Sequence, residues 1–127
     1  NRWFRTGKEY RSPKDTKETD DRVQALAVLA GLAKPEQYKA IYEVLKKEYH
    51  ASPFMEKYVG EALFVMGYPE FALQRTCERF ADMVNYPGCT TLWEGWGIGK
   101  AGFGGGSVNH ACRGGTLTLL SQYVAGS

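Results

Sequence analysis

Glu94 stands where a carboxylate could do chemistry. It lies in the run Tyr86-Pro87-Gly88-Cys89-Thr90-Thr91-Leu92-Trp93-Glu94-Gly95-Trp96-Gly97 and is the only acid in residues 85–127. A carboxylate beside large apolar rings is partly desolvated, which raises its pKa toward the range of a general acid or base. Tryptophan faces also suit the apolar faces of sugar rings, and an indole N–H can donate to a hydroxyl. The plain structural alternative is a surface glutamate beside two core tryptophans. Further on comes Ser107-Val108-Asn109-His110, with one of only two histidines; the other is His50. Near a helix start, His110 could donate to a substrate hydroxyl, although a lone histidine can equally serve structure alone.

Other chemistries find less support. The glycine loop Gly97–Gly106 contains no GxxxxGK[ST] and follows no strand, so it does not read as a phosphate cradle. There is no GxSxG nucleophile elbow. Cys77, Cys89 and Cys112 are spaced by 12 and 23, which is not zinc spacing, and an odd count permits at most one internal bridge. They read as three reduced, partly buried thiols. No metal site and no cofactor are expected. The net charge of +2 gives no electrostatic case for nucleic acid or a membrane surface. No apolar run is long enough to span a bilayer.

The elements that must hold Glu94 and His110 are helical. The chain has 127 residues, one domain at most. Residues 1–18 are polar, contain Pro13, and read as an irregular lead-in. Thr19 or Asp20 caps a helix to about Ala33, with Val23, Leu26, Ala27 and Ala30 as core and Val28, Leu29 and Leu32 opposite. A helix apolar nearly all round is buried. Pro35 opens an amphipathic helix to about Tyr49, striped by Tyr38, Ile41, Tyr42, Leu45 and Tyr49. Ser52-Pro53 opens a broadly apolar helix to Met66, stopped by Gly67. Pro69 opens a fourth, to about Val84, striped by Leu73, Cys77, Phe80 and Val84. A last helix covers about Asn109 to Ala125, softened at Gly114-Gly115. No period-two alternation or Asn-Gly hairpin suggests strands. The expectation is an all-α fold whose buried and amphipathic helices alternate, as in a two-layered ring of α-hairpins; a plain helical bundle is the alternative.

The run Tyr86-Pro87, Thr90-Thr91-Leu92-Trp93-Glu94-Gly95-Trp96, then Ser107-x-Asn109-His110 and Leu119-Leu120-Ser121-Gln122-Tyr123-Val124-Ala125-Gly126, resembles the C-terminal part of the catalytic domain of bacterial α-L-rhamnosidases, glycoside hydrolase family 78. The stretch Gln24–Leu32 and the Ser52-Pro53 helix are similar to that family too. The resemblance covers residues 19–126 and implies part of an (α/α)6 toroid acting on terminal α-linked rhamnose with inversion. It implies that Glu94 is the general base and that His110 contacts the sugar; together with the residues themselves this gives a site that Trp93 and Trp96 would wall and in which Asn109 would join His110 in binding. The family's general acid lies upstream of anything matched here. Inversion needs a second carboxyl group roughly 6.5–9.5 Å from the first, for which Asp20, Asp21 and Glu56 are the candidates at the starts of the two buried helices. All three are also ordinary helix-start acids favoured by the macrodipole.

Residues 19–127 are thus expected to form a partial (α/α)6 catalytic domain whose substrate is a carbohydrate. With no initiator Met and an opening Asn1-Arg2-Trp3-Phe4, the chain reads as cut from something longer or processed. Its partners would then be the missing remainder of that domain, or a second copy. A non-catalytic carbohydrate-binding or vestigial domain, or a helical interaction scaffold, are the alternative readings.

Overall fold

Asp20 caps the first helix. Its backbone is extended and its carboxylate accepts from Arg22 N–H at 2.8 Å, so α1 runs Asp21–Leu29. The computed structural model describes residues 4–5, 9–10, 19–98 and 107–126. Helix α1 stops short of the expected Ala33. Gly31 turns the chain at φ +67°, and the N–H groups of Leu32 and Ala33 fold back onto Ala27 O. Its buried face is only in part the expected one: Ala27 and Val28 are buried as read and Val23 is half-buried, but Ala30 is exposed. Asp21, Gln24, Ala25 and Val28 form the i, i+3, i+4, i+7 stripe, whereas Leu26 and Leu32 are exposed. Two polar residues on that stripe disguised it in the sequence.

Pro35–Gln37 form a single 3-10 turn before α2, Tyr38–Lys47. Ile41 and Leu45 are fully buried, with Tyr38 and Tyr42 half-buried, as the stripe predicted. The helix ends two residues before Tyr49, which is exposed. The carbonyls of Leu45 and Glu48 at this end turn to Arg75 Nη1, at 2.5 and 3.0 Å. Helix α3, Pro53–Met66, has the expected bounds. Ser52 Oγ accepts from Met55 N–H, and Gly67 at φ +87° closes the end while Tyr68 N–H returns to Leu63 O. Phe54 and Val65 face outward, so this helix is not buried all round.

Helix α4 spans Pro69–Asn85. Of the expected stripe only Phe80 is buried; Cys77 and Val84 are exposed, and the inner face is Ala72, Arg75, Phe80 and Met83. The acceptors waiting for Arg75 select that face. The last segment starts later than expected. A 3-10 turn, Ala111–Gly114, leads into α5, Gly115–Leu119, and then a π-type turn, Leu120–Ala125, closed by Gly126. The softening expected at Gly114-Gly115 is the junction between the first two.

The architecture is all-α, with five α-helices among the described residues. The lead-in adds what the sequence reading missed: an antiparallel pair of two-residue strands, β1 Phe4–Arg5 and β2 Glu9–Tyr10. Pro13 and most of the lead-in lie outside the described residues. Tyr10 is not a tail residue. Its N–H donates to Gln24 Oε1 at 2.8 Å, its carbonyl accepts from Gln24 Nε2, and its hydroxyl donates to Leu32 O at 2.7 Å.

Helix α3 is the hub. Its contact with α1 is the most extensive in the molecule, followed by that with α4. The last segment lies on a third side, where a Cβ on Gly60 would come within 2.7 Å of Leu119 Cδ1, and one on Gly115 within 2.7 Å of Lys57 Cδ. Phe64 and Tyr123 stack one turn further on, centroids 4.7 Å apart. One core cluster lies among α1, α2 and α3; a second gathers Phe80, Met83 and Trp93 with Cys89, Leu92, Trp96 and Ile98.

The cap at Asp20 carries a pH dependence. Partial burial pushes its carboxyl up, but bonds from the Arg22 side chain and N–H outweigh this and hold it below the ordinary aspartate value. A depressed folded pKa adds stability above the unfolded value of about 3.9, and that stability is lost as pH falls through the folded pKa. Asp20→Asn keeps a capping oxygen and loses the charge. Its deficit should be under about 1 kcal/mol near neutral pH, for a part-exposed pair, and should close in acid. Urea titrations across pH check this; a deficit that persists in acid contradicts it.

Candidate functional site

After α4 the chain runs as a non-helical segment from Tyr86 to Ile98. Its end is paired to the segment before the last helix. Glu94 N–H donates to Ser107 O at 3.0 Å, and His110 N–H donates to Leu92 O at 2.9 Å. Thr91 Oγ1 donates to Val108 O. The two motifs singled out in the sequence, Thr90–Trp96 and Ser107–His110, therefore lie side by side. The glycine loop that joins them, from Gly99 through Phe103 to Gly106, lies outside the described residues.

Trp93 anchors this pairing. It is 3 % exposed, packs on Phe80 and Met83, meets the Tyr86 ring edge-on at 5.2 Å, and donates Nε1–H to Cys89 Sγ at 3.3 Å. Hydrogen bonding with Thr91, then from Trp93, holds the Cys89 thiol below its ordinary pKa. Trp96 donates Nε1–H to Ala51 O at 2.8 Å, and its ring meets Phe80 at 5.1 Å. Both indole N–H groups are therefore engaged within the chain rather than free for a sugar hydroxyl, and Trp93 is buried, so of the two rings Trp96 is the more accessible.

Glu94 and His110 are half-buried, and Asn109 is exposed. His110 Nδ1 is buried with no hydrogen-bond partner among the described residues. The expected grouping holds only in part. Trp93 and Trp96 line a cleft of about 340 Å³ together with Asp82, Asn85, Tyr86 and Ile98. Glu94, Asn109 and His110 do not line it. They are neighbours through the backbone pairing instead.

The three candidates for a second carboxylate do other work. Asp20 is the cap of α1. Asp21 and Glu56, at 0 and 1 % exposure, flank Arg75, itself 1 % exposed. Arg75 Nη2 donates to Asp21 Oδ2 at 2.6 Å and Nε to Glu56 Oε1 at 2.5 Å. With Leu45 O, Glu48 O and a longer contact to Glu56 Oε2, all five guanidinium N–H donors are used. Asp21 also accepts from the N–H groups of His50 and Ala51. Burial works against the charge on Arg75, but its bonds to Glu56 and the charge of Asp21 hold its pKa above the ordinary arginine value. Arg79 adds a second cation, Nε 3.4 Å from Glu56 Oε2, so the centre is electrically balanced. Burial pushes the Arg79 pKa down.

Arg79 also joins this centre to the site. Its guanidinium carbon lies 4.0 Å from the Trp96 centroid, and Nη2 donates to Ala51 O, the acceptor Trp96 uses. Sequence reading did not single out Arg75 or Arg79. The available signal was two arginines at i, i+4 on one face of α4, with acids at the starts of both buried helices.

All three cysteines are free; Cys77 and Cys112 are exposed rather than partly buried. Among the described residues no three His, Cys, Asp or Glu side chains form a metal-holding group, and no helix is long and apolar enough to cross a membrane. Comparison with family models, with curated proteins and with solved structures gives no match.

Proposed function

We propose that this chain is the C-terminal part of an inverting glycoside hydrolase of the α-L-rhamnosidase type, folded as a portion of an (α/α)6 toroid. Glu94 takes the proton from water as general base, and His110 and Asn109 bind sugar hydroxyls. The observation that carries this reading is the backbone pairing of Thr90–Trp96 with Ser107–His110, which makes neighbours of Glu94 and the Asn-His pair. The resemblance of these two motifs to the rhamnosidases supplies the substrate. Apolar side chains left in solvent, among them Leu32, Val84, Leu117 and Val124, are in keeping with faces covered by the rest of a ring or by a second copy.

The general acid would come from outside this chain, because Asp21 and Glu56 are sealed against Arg75 and Asp20 caps α1. The chain alone is therefore expected to release no nitrophenol from 4-nitrophenyl α-L-rhamnopyranoside. A longer protein supplying an upstream acidic helical segment should hydrolyse it and give the inverted anomer first, followed by proton NMR. Turnover by the 127-residue chain itself, or a longer protein inactive on every α-L-rhamnoside, would defeat the reading. One observation favours a second reading, carbohydrate binding without catalysis: the tryptophan cleft does not include Glu94. That reading predicts sugar binding and no turnover in any length of chain.

A further inference from the structure

The cleft beside Trp93 and Trp96 draws its polar groups from a place the motifs did not indicate, the last turn of α4. Asp82 and Asn85 stand at i, i+3 on that helix, so they share a face. Asp82 is exposed; Asn85 Nδ2 donates to Ala81 O at 2.8 Å, which steadies the amide. Tyr86 follows at the mouth. A volume of about 340 Å³ lies at the small end for ligand pockets. Such a space takes one ring-sized molecule.

The lining chooses among ligands. Aromatic edges and faces meet a surface of C–H groups, while a carboxylate and an amide meet hydroxyls. An anion is disfavoured by Asp82. A cation would compete for aromatic faces, but the Arg79 guanidinium already sits over Trp96 at 4.0 Å. A neutral polyhydroxylated ring with one apolar face satisfies every group. We infer that this cleft is a pyranose-binding subsite in which Asp82 and Asn85 hold ring hydroxyls and the exposed Tyr86 ring forms the platform, with Trp96 lining the cleft beside it. The inference rests on the carbohydrate reading above and adds residues that reading does not contain.

Titration of this chain with methyl α-L-rhamnopyranoside, methyl α-D-glucopyranoside and tetramethylammonium, followed in amide and indole NMR spectra, tests it. A methyl pyranoside should shift the Trp96 indole and the Asp82–Tyr86 amides. Asp82→Asn and Asn85→Ala should each weaken binding about tenfold, as for a lost hydrogen bond to a charged or fixed group. Both positions are exposed, so circular dichroism and Tm should stay unchanged. Undiminished binding in both variants, shifts confined to other residues, no shift with either pyranoside, or a stronger response to tetramethylammonium would each overturn the inference. The two readings fail separately. Pyranoside binding here, with a longer protein inactive on rhamnosides, keeps the subsite and removes the rhamnosidase. Glu94-dependent hydrolysis with KM unmoved by Asp82→Asn does the reverse.

Discussion

Arg75→Met is expected to lower the stability of the chain by about 3–5 kcal/mol, the usual cost of leaving buried charge uncompensated. Total stability for a domain of this size is about 5–15 kcal/mol, so the variant should sit close to unfolding. The argument is geometric. Asp21 and Glu56 cannot reach water, and the Leu45 and Glu48 carbonyls at the end of α2 would lose their donor. Arg79 touches Glu56 but makes no bond to Asp21, so it replaces only part of what is lost. Arg75→Lys should recover little, because an ammonium carries three donors on a point charge where five in a plane are used. Urea unfolding followed by circular dichroism measures both variants. A loss under about 1 kcal/mol for Arg75→Met would mean that the centre is hydrated and the carboxylates are not sealed.

The second large effect concerns Glu94 in a longer, active protein. If Glu94 is the general base proposed above, Glu94→Gln keeps the shape of the side chain and removes that base, so kcat should fall by at least about 10²–10⁴-fold with KM little changed. His110→Ala should act differently. On the same reading it leaves a sugar hydroxyl unpaired and should weaken binding by about 1–3 kcal/mol, seen chiefly in KM. Steady-state kinetics on one aryl rhamnoside separates the two. Near-normal kcat in Glu94→Gln would put the base elsewhere.

Much of the fold was legible because the helix signals are local. Ser52-Pro53 and Gly67 bracket α3 at its observed bounds, and Pro69 opens α4 where expected. The buried faces were less legible. On α1 and α4 the inward stripe is set by Asp21, Gln24 and Arg75, whose burial depends on partners 14 to 54 residues away in the chain. A hydropathy pattern scores such residues as outward. The same blindness produced the false core assignments of Leu26 and Val84. The neighbourhood of Glu94 and His110 rests on backbone bonds between distant segments, which no periodicity encodes. The role of Asp82 was hidden for a similar reason: only the path of the chain after Asn85 carries the tryptophans back beside the last turn of α4.

The two glycine contacts between α3 and the last segment act as a vernier. Lys57 fits against Gly115, Leu119 fits against Gly60, and Tyr123 stacks on Phe64, three rungs about a turn apart. Sliding the segment by one turn, about 5.4 Å, would bring large side chains against one another and leave a notch empty. The observed register seats both glycines opposite large side chains. His110 lies immediately before this segment, so its position along α3 is indexed by Lys57, Gly60 and Phe64. A change at any of these three would shift the reading of the scale, and with it the imidazole, without altering a residue of either motif.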